Sequence, residues 1–165
     1  MQYTQMMNNS KHSLIAIALL RIVVGWHFLY EGLVKVLNPE WTSRAFLLDS
    51  GGWFNGFYRY LAGNATLLNI TDTLNAWGLT LIGFSLVLGL WSRFAALGGM
   101  FLLALYYLSH PAFPGITYLF PSDGSYFIVN KTIVEMFALA VIYFQPTDYF
   151  IGLERLISSK KRNHE

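Results

Sequence analysis

Apolar and polar positions divide the chain into four long apolar runs separated by aromatic, proline- and glycine-bearing connections. The first run, 14–37, stops at Asn38-Pro39, because the residue before a proline is pushed out of the helical region. The second, 74–90, meets a tight Trp91-Ser92-Arg93 turn, and the third, 94–108, closes at His110-Pro111. The fourth, 127–144, ends at Gln145-Pro146. Each run approaches the ~20 residues that a helix needs to cross ~30 Å of hydrocarbon. The pattern predicts an all-α fold: a four-transmembrane-helix bundle in one membrane domain, 1–165, with helices near 14–37, 74–91, 94–109 and 127–145. Residues 1–13 are polar and read as disordered or interfacial. The connection 38–73 carries Trp41, Trp53, Tyr58 and Tyr60. It is too long for a structureless loop, so a short amphipathic or re-entrant helix is expected within 41–49 or 53–62, lying at the membrane surface.

Basic residues give the runs a direction. Lys11 precedes the first helix, Arg93 sits in the short turn, and Lys160, Lys161 and Arg162 close the tail. An even number of spans puts all of them on one side, which the positive-inside rule makes cytoplasmic. The prediction is N-in/C-in in a cytoplasmic (inner) membrane, with outer loops 38–73 and 110–126 and a cytoplasmic tail, 146–165.

Composition sharpens this picture. Charged residues are 12% of the chain, against about a quarter in a soluble domain, and mean hydropathy is +0.43. Aromatics at 17% suit the belts at two membrane surfaces. Arg21 interrupts the first run and no small-residue cleavage site follows, so this segment reads as a retained helix rather than a signal peptide. The cysteine count is 0, which excludes disulfides, thiolate metal sites and any thiol relay within this chain. There is no phosphate-binding glycine loop, no nucleophile elbow and no nucleic-acid module.

The candidate chemistry lies on one helix. In "GWHFLYEGLVKVLNP", His27, Glu31 and Lys35 follow at intervals of four. At about 100° per residue, Glu31, Lys35 and Arg21 lie about 40°, 80° and 120° around from His27. Gly25 and Gly32 flank this stripe and would admit another helix closely. A charge at membrane depth costs about 2.5 kcal/mol or more, so the stripe is expected to face the bundle interior, a cavity or a partner charge. The fourth run supplies Lys131 and Glu135, also four apart, and His110 ends the third. The expected polar set is therefore His27, Glu31, Lys35, His110, Lys131, Glu135 and Arg21, clustered mainly in the outer half of the bundle with His27 near mid-membrane and Arg21 in the inner half, and read as a binding set for a cofactor or lipid headgroup. Each residue also has a structural reading. The lysines can snorkel outward, Arg21 and the carboxylates can form internal ion pairs, and His27 can be a packed histidine. His27, Glu31 and His110 define no complete metal-ligand set, so no metal is expected.

These strings also resemble a known family. "LLRIVVGWHFLYEGLVKVLNP", with its arginine and its Gly32-x-x-Lys35 ending, resembles the first helix of the DoxX family. "LGLWSRFAALGGMFLLALYYL" is similar to the family's second-to-third helix turn, and "NKTIVEMFALAV" to its last helix. The resemblance covers roughly 14–37 and 74–145. The 38–73 loop is longer than the minimal family pattern. A DoxX/DoxD-like chain implies a four-helix integral membrane protein associated with quinone or thiol redox systems, as in the membrane subunit of a thiosulfate:quinone oxidoreductase. Three functions follow as expectations. The first is an auxiliary, quinone- or lipid-binding subunit of a membrane redox complex, with quinone the candidate cofactor. The second is a non-catalytic scaffold or accessory subunit that binds a partner through its outer loops. The third is a small transporter. Expected partners are the lipid bilayer and a protein partner or further copies of the chain, with no nucleic acid. No catalytic residue is assigned.

Overall fold

The structure, a computed structural model, describes residues 2–119 and 127–155, with side chains from residue 11 onward. The basic tail residues Lys160, Lys161 and Arg162 lie outside the described residues, as do 120–126 of the second loop. Six helices are described: α1 (Gln2–Val36), α2 (Arg44–Leu48), α3 (Asn55–Gly63), α4 (Ala65–Leu88), α5 (Ser92–Ser109) and α6 (Lys131–Phe144). There is no strand element among the described residues, and the chain is all-α.

Two helices begin earlier than hydropathy alone implies. Helix α1 continues back through the polar N-terminal residues to Gln2. Helix α4 begins nine residues before the apolar run at 74 because Asn64 caps it. The Asn64 side chain accepts from the backbone N–H groups of Thr66 and Leu67 at 3.0 and 3.2 Å, satisfying donors that a helix start leaves unpaired. The Thr71 and Thr73 hydroxyls then bond back to the carbonyls of Leu67 and Asn69. A mixed apolar and polar start set by a side-chain cap does not stand out in hydropathy. In place of a long loop, α2 and α3 occupy the stretch before α4.

Around the bundle, α1 packs on α4, α4 on α5, α5 on α6 and α6 back on α1. The α1–α4 pair is held tightly through glycine. A Cβ on Gly83 would lie 2.2 Å from the backbone N of Leu29, and one on Gly32 would lie 2.4 Å from that of Thr80. Gly99 leaves the notch on α5 that receives Leu139 of α6. Val24, Phe28, Leu79, Leu86, Ala96, Leu103, Leu139 and Ile142 fill the interior. Gly89 and Trp91 both adopt left-handed backbone at the α4–α5 turn, with φ of 66° and 52°, which reverses the chain within a few residues.

The outward faces are apolar on all four long helices. Leu19, Val23, Trp26, Tyr30 and Leu33 line the outside of α1, and Leu74, Trp77, Leu81 and Phe84 that of α4. Phe94, Leu97 and Phe101 do the same on α5, as do Val134, Phe137, Val141 and Phe144 on α6. Water-facing bundles carry their polar residues on this surface. Among the described residues, Lys11–Val36 and Ser92–Ser109 are long and apolar enough to cross a membrane. Helix α4 falls short because of Asp72, Thr73 and Asn75 in its first half. Helix α6 falls short because its 14 residues extend only about 21 Å at ~1.5 Å per residue.

The two ends of the bundle are tied differently. At one end, the turn after α6 folds back onto α1, with the Arg21 guanidinium at its centre. At the other, α2 and α3 form a small apolar cluster of Leu47, Tyr58 and Ala62. The N–H groups of Gly51 and Gly52 reach the Ser109 carbonyl at 3.2 and 3.1 Å, so this clasp caps the C-terminal end of α5.

Candidate functional site

The helical phase of α1 splits the polar stripe between two neighbours. Gly25 and Gly32, at one edge, press on α4, while His27 and Glu31, at the other, face α6. His27 Nε2 lies 3.4 Å from Glu135 Oε1, and Lys35 Nζ lies 3.8 Å from Glu31 Oε2. Between α1, α5 and α6 these groups border a cavity of about 220 Å³. Its polar wall is His27, Glu31, Lys35, Lys131 and Glu135, completed by Tyr106 and Thr132, and Phe28, Leu79 and Leu103 form the apolar remainder. The Glu31 side chain is 49% exposed and that of Glu135 14%, so Glu31 stands at the rim and Glu135 within. Lys131, first residue of α6, is also exposed.

Lys35 turns into the bundle. Its ammonium donates to Asn75 Oδ1 at 3.1 Å and lies 5.2 Å from the Trp41 ring centroid and 5.9 Å from that of Tyr106, within range of a cation–π attraction. Asn75 Nδ2 in turn donates to the Tyr106 hydroxyl oxygen at 2.5 Å. Five of the seven sequence candidates thus meet at one cavity, and Arg21 and His110 do not.

Arg21 is 1% exposed and occupies the opposite end of the bundle. Its guanidinium contacts Asp148 Oδ1 at 2.7 Å and donates to Thr147 Oγ1 at 3.1 Å and to the Ile151 carbonyl. The backbone N–H of Ser92 donates to Asp148 Oδ2 at 3.0 Å, and the Ser92 hydroxyl donates to Oδ1. One carboxylate therefore joins α1, the start of α5 and the segment after α6.

His110 sits under the clasp. Its ring stacks on Phe46 at 4.1 Å and tilts against Tyr118 at 4.6 Å, with Asp49 Oδ2 3.6 Å from Nε2. Burial pushes the imidazole below its ordinary pKa, and the Asp49 carboxylate opposes that shift. Burial likewise raises the Tyr118 hydroxyl.

Reasoning from sequence passed over Asn75, Tyr106 and Asp148. Asn75 offered a signal, a polar residue just inside an apolar run. Tyr106 is one of ten tyrosines, and nothing local distinguishes it. Asp148 follows a proline in a stretch that reads as tail.

Comparison with known proteins gives one match: the family model described as DoxX aligns with residues 16–111. That span starts within α1, runs through α5 and ends just after His110. No curated protein and no solved structure matches the chain.

Proposed function

This chain belongs to the DoxX family, a family of membrane proteins, and on that footing we propose that it binds a quinone or lipid headgroup as the auxiliary subunit of a membrane redox system. The carrying observation is the cavity itself. Two carboxylates, two ammonium groups and an imidazole converge on about 220 Å³ of space in a bundle whose outer faces are otherwise apolar. A polar ligand group would find donors and acceptors there, with an apolar wall for a ring. Glu31 or Glu135 would exchange protons with the ligand, and His27 would hydrogen-bond its oxygen.

In this reading α1, α4, α5 and α6 all cross the bilayer as a single membrane domain, N-in/C-in in the cytoplasmic membrane. The apolar outward stripes on α4 and α6 support that arrangement beyond what length and mean hydropathy do. Helices α2 and α3 lie at the outer interface, where Trp53, Phe54 and Phe57 are exposed as interfacial aromatics are. Lys35, Lys131 and the cavity rim then sit in the outer half, and electrons come from a partner.

A second reading, the scaffold, has its own observation. The carboxylates are already opposite basic partners in the pairs Glu31–Lys35 and His27–Glu135. The cavity favours the ligand, since a purely structural cluster would close on itself. The transporter ranks last, because below the cavity the interior is packed with Val24, Leu86, Ala96 and Ile142.

The test is purification in mild detergent followed by mass spectrometry of co-purifying small molecules, comparing wild type with Glu31→Gln and Glu135→Gln. A quinone or lipid retained by wild type and lost from the variants supports the site. If no small molecule appears and both variants lose thermal stability, the cluster is structural.

A further inference from the structure

The row Lys35–Asn75–Tyr106 carries a proton-direction argument that follows from donor chemistry alone. An ammonium group has donors and no acceptor. The Asn75 atom facing Lys35 Nζ at 3.1 Å is therefore the amide oxygen, and the NH₂ group faces Tyr106. An amide NH₂ has only donors, so the Tyr106 oxygen accepts at that contact. The tyrosine's own hydroxyl proton must go elsewhere. Among the described residues no acceptor takes it, and Tyr106 lines the cavity.

We infer that Tyr106 is the hydrogen-bond donor for a carbonyl oxygen of the cavity's ligand, and that Asn75, fixed by Lys35, is the positioning residue that keeps this proton turned inward. This rests on the quinone reading of the site above and adds to it a donor for one carbonyl oxygen. The donor is strengthened along the row. Lys35 polarises the Asn75 amide, which polarises the Tyr106 hydroxyl, and such chains reinforce one another where water is excluded. The His27–Glu135 pair comes from α1 and α6, whereas Tyr106 comes from α5, so the cavity offers polar groups from separate walls. The apolar surfaces of Phe28, Leu79 and Leu103 remain for the ring.

Two variants separate the roles. Tyr106→Phe removes the donor and keeps the ring. Asn75→Asp keeps the hydroxyl but presents oxygens to both neighbours, so Tyr106 donates to the new carboxylate and its proton leaves the cavity. The probe is decylubiquinone, titrated into purified protein in detergent and followed by tryptophan quenching. The infrared carbonyl band of the bound probe is recorded on the same samples. Each variant is expected to bind about tenfold more weakly, the value of one net hydrogen bond. The downshifted carbonyl band of the wild-type complex should return towards that of the free quinone. The band is read in whichever variant keeps the wild-type circular dichroism, so a folding defect in one leaves the other decisive. Wild-type affinity with an unmoved band in a folded variant overturns the role of Tyr106 and leaves the ligand site standing. No binding of decylubiquinone to wild type overturns the quinone reading of the site and this inference together, and leaves a lipid headgroup to the co-purification test.

Discussion

Replacing Asp148 by asparagine keeps the side chain's size and removes one charge from the joint around Arg21. The guanidinium is 1% exposed and meets Asp148 at 2.7 Å. In Asp148→Asn it keeps Thr147 and the Ile151 carbonyl but loses its counter-charge. The new amide must also choose an orientation. If its oxygen faces Arg21 and the Ser92 hydroxyl, as Oδ1 does now, its NH₂ faces the Ser92 N–H where Oδ2 accepts at 3.0 Å, and two donors confront each other. Stranding a buried charge costs about 3–5 kcal/mol, and stranding a buried donor about 1–3 kcal/mol. With the two effects overlapping at one side chain, a loss of about 4 kcal/mol is expected, a large share of the ~5–15 kcal/mol that holds a typical fold. The assay is denaturant unfolding in mixed micelles followed by far-UV circular dichroism. A companion variant, Arg21→Met with Asp148→Leu, removes both charges and is expected to recover most of the loss, since an apolar pair of similar volume often matches a buried ion pair. A loss below about 1 kcal/mol for Asp148→Asn, or a double variant weaker than the single, would refute the picture of a water-excluded joint.

Three further outcomes follow from other parts of the fold. Gly83→Ala should cost about 2–3 kcal/mol, because its Cβ would meet the Leu29 backbone at 2.2 Å, whereas Gly56→Ala in α3 meets nothing within 4 Å and should gain up to about 1 kcal/mol; the same unfolding curves compare them. His110 is expected to make the α2–α3 clasp acid-sensitive. Its folded pKa lies below the ordinary 6.5, so the unfolded chain binds the extra proton first. Stability is then fully present above about 6.5 and is lost as pH falls through the lower folded value. Melting temperature against pH should show that slope in wild type and lose it in His110→Gln. Leu139→Ala empties the notch at Gly99 and should cost about 3 kcal/mol, read as a lowered unfolding midpoint.

Much of the fold was legible because helix formation and hydropathy are local properties. The apolar runs and their proline stops located α1, α5 and α6 to within a few residues, apart from the polar start of α1. The start of α4 escaped the same reasoning, since residues 65–73 mix apolar and polar side chains and the helix begins there through the Asn64 cap. The site was legible in part. A spacing of four fixes the angles around one helix, so His27, Glu31 and Lys35 were bound to share a stripe.

The sequence by itself determined an all-helical chain with an arginine inside its first apolar run, a glycine edge and a row of ionisable residues on one helical stripe. Only the tertiary structure decided which of those residues meet. The close α1–α4 crossing at Gly32 and Gly83 turns His27 and Glu31 towards α6, where Glu135 waits, and leaves Arg21 at the far end. The partner of Arg21, Asp148, is 127 residues away, and no periodic pattern spans that distance. Asn75 and Tyr106 join the cavity for the same reason. The direction of a side chain's proton depends on the donor beside it, and that neighbour is set by how helices pack.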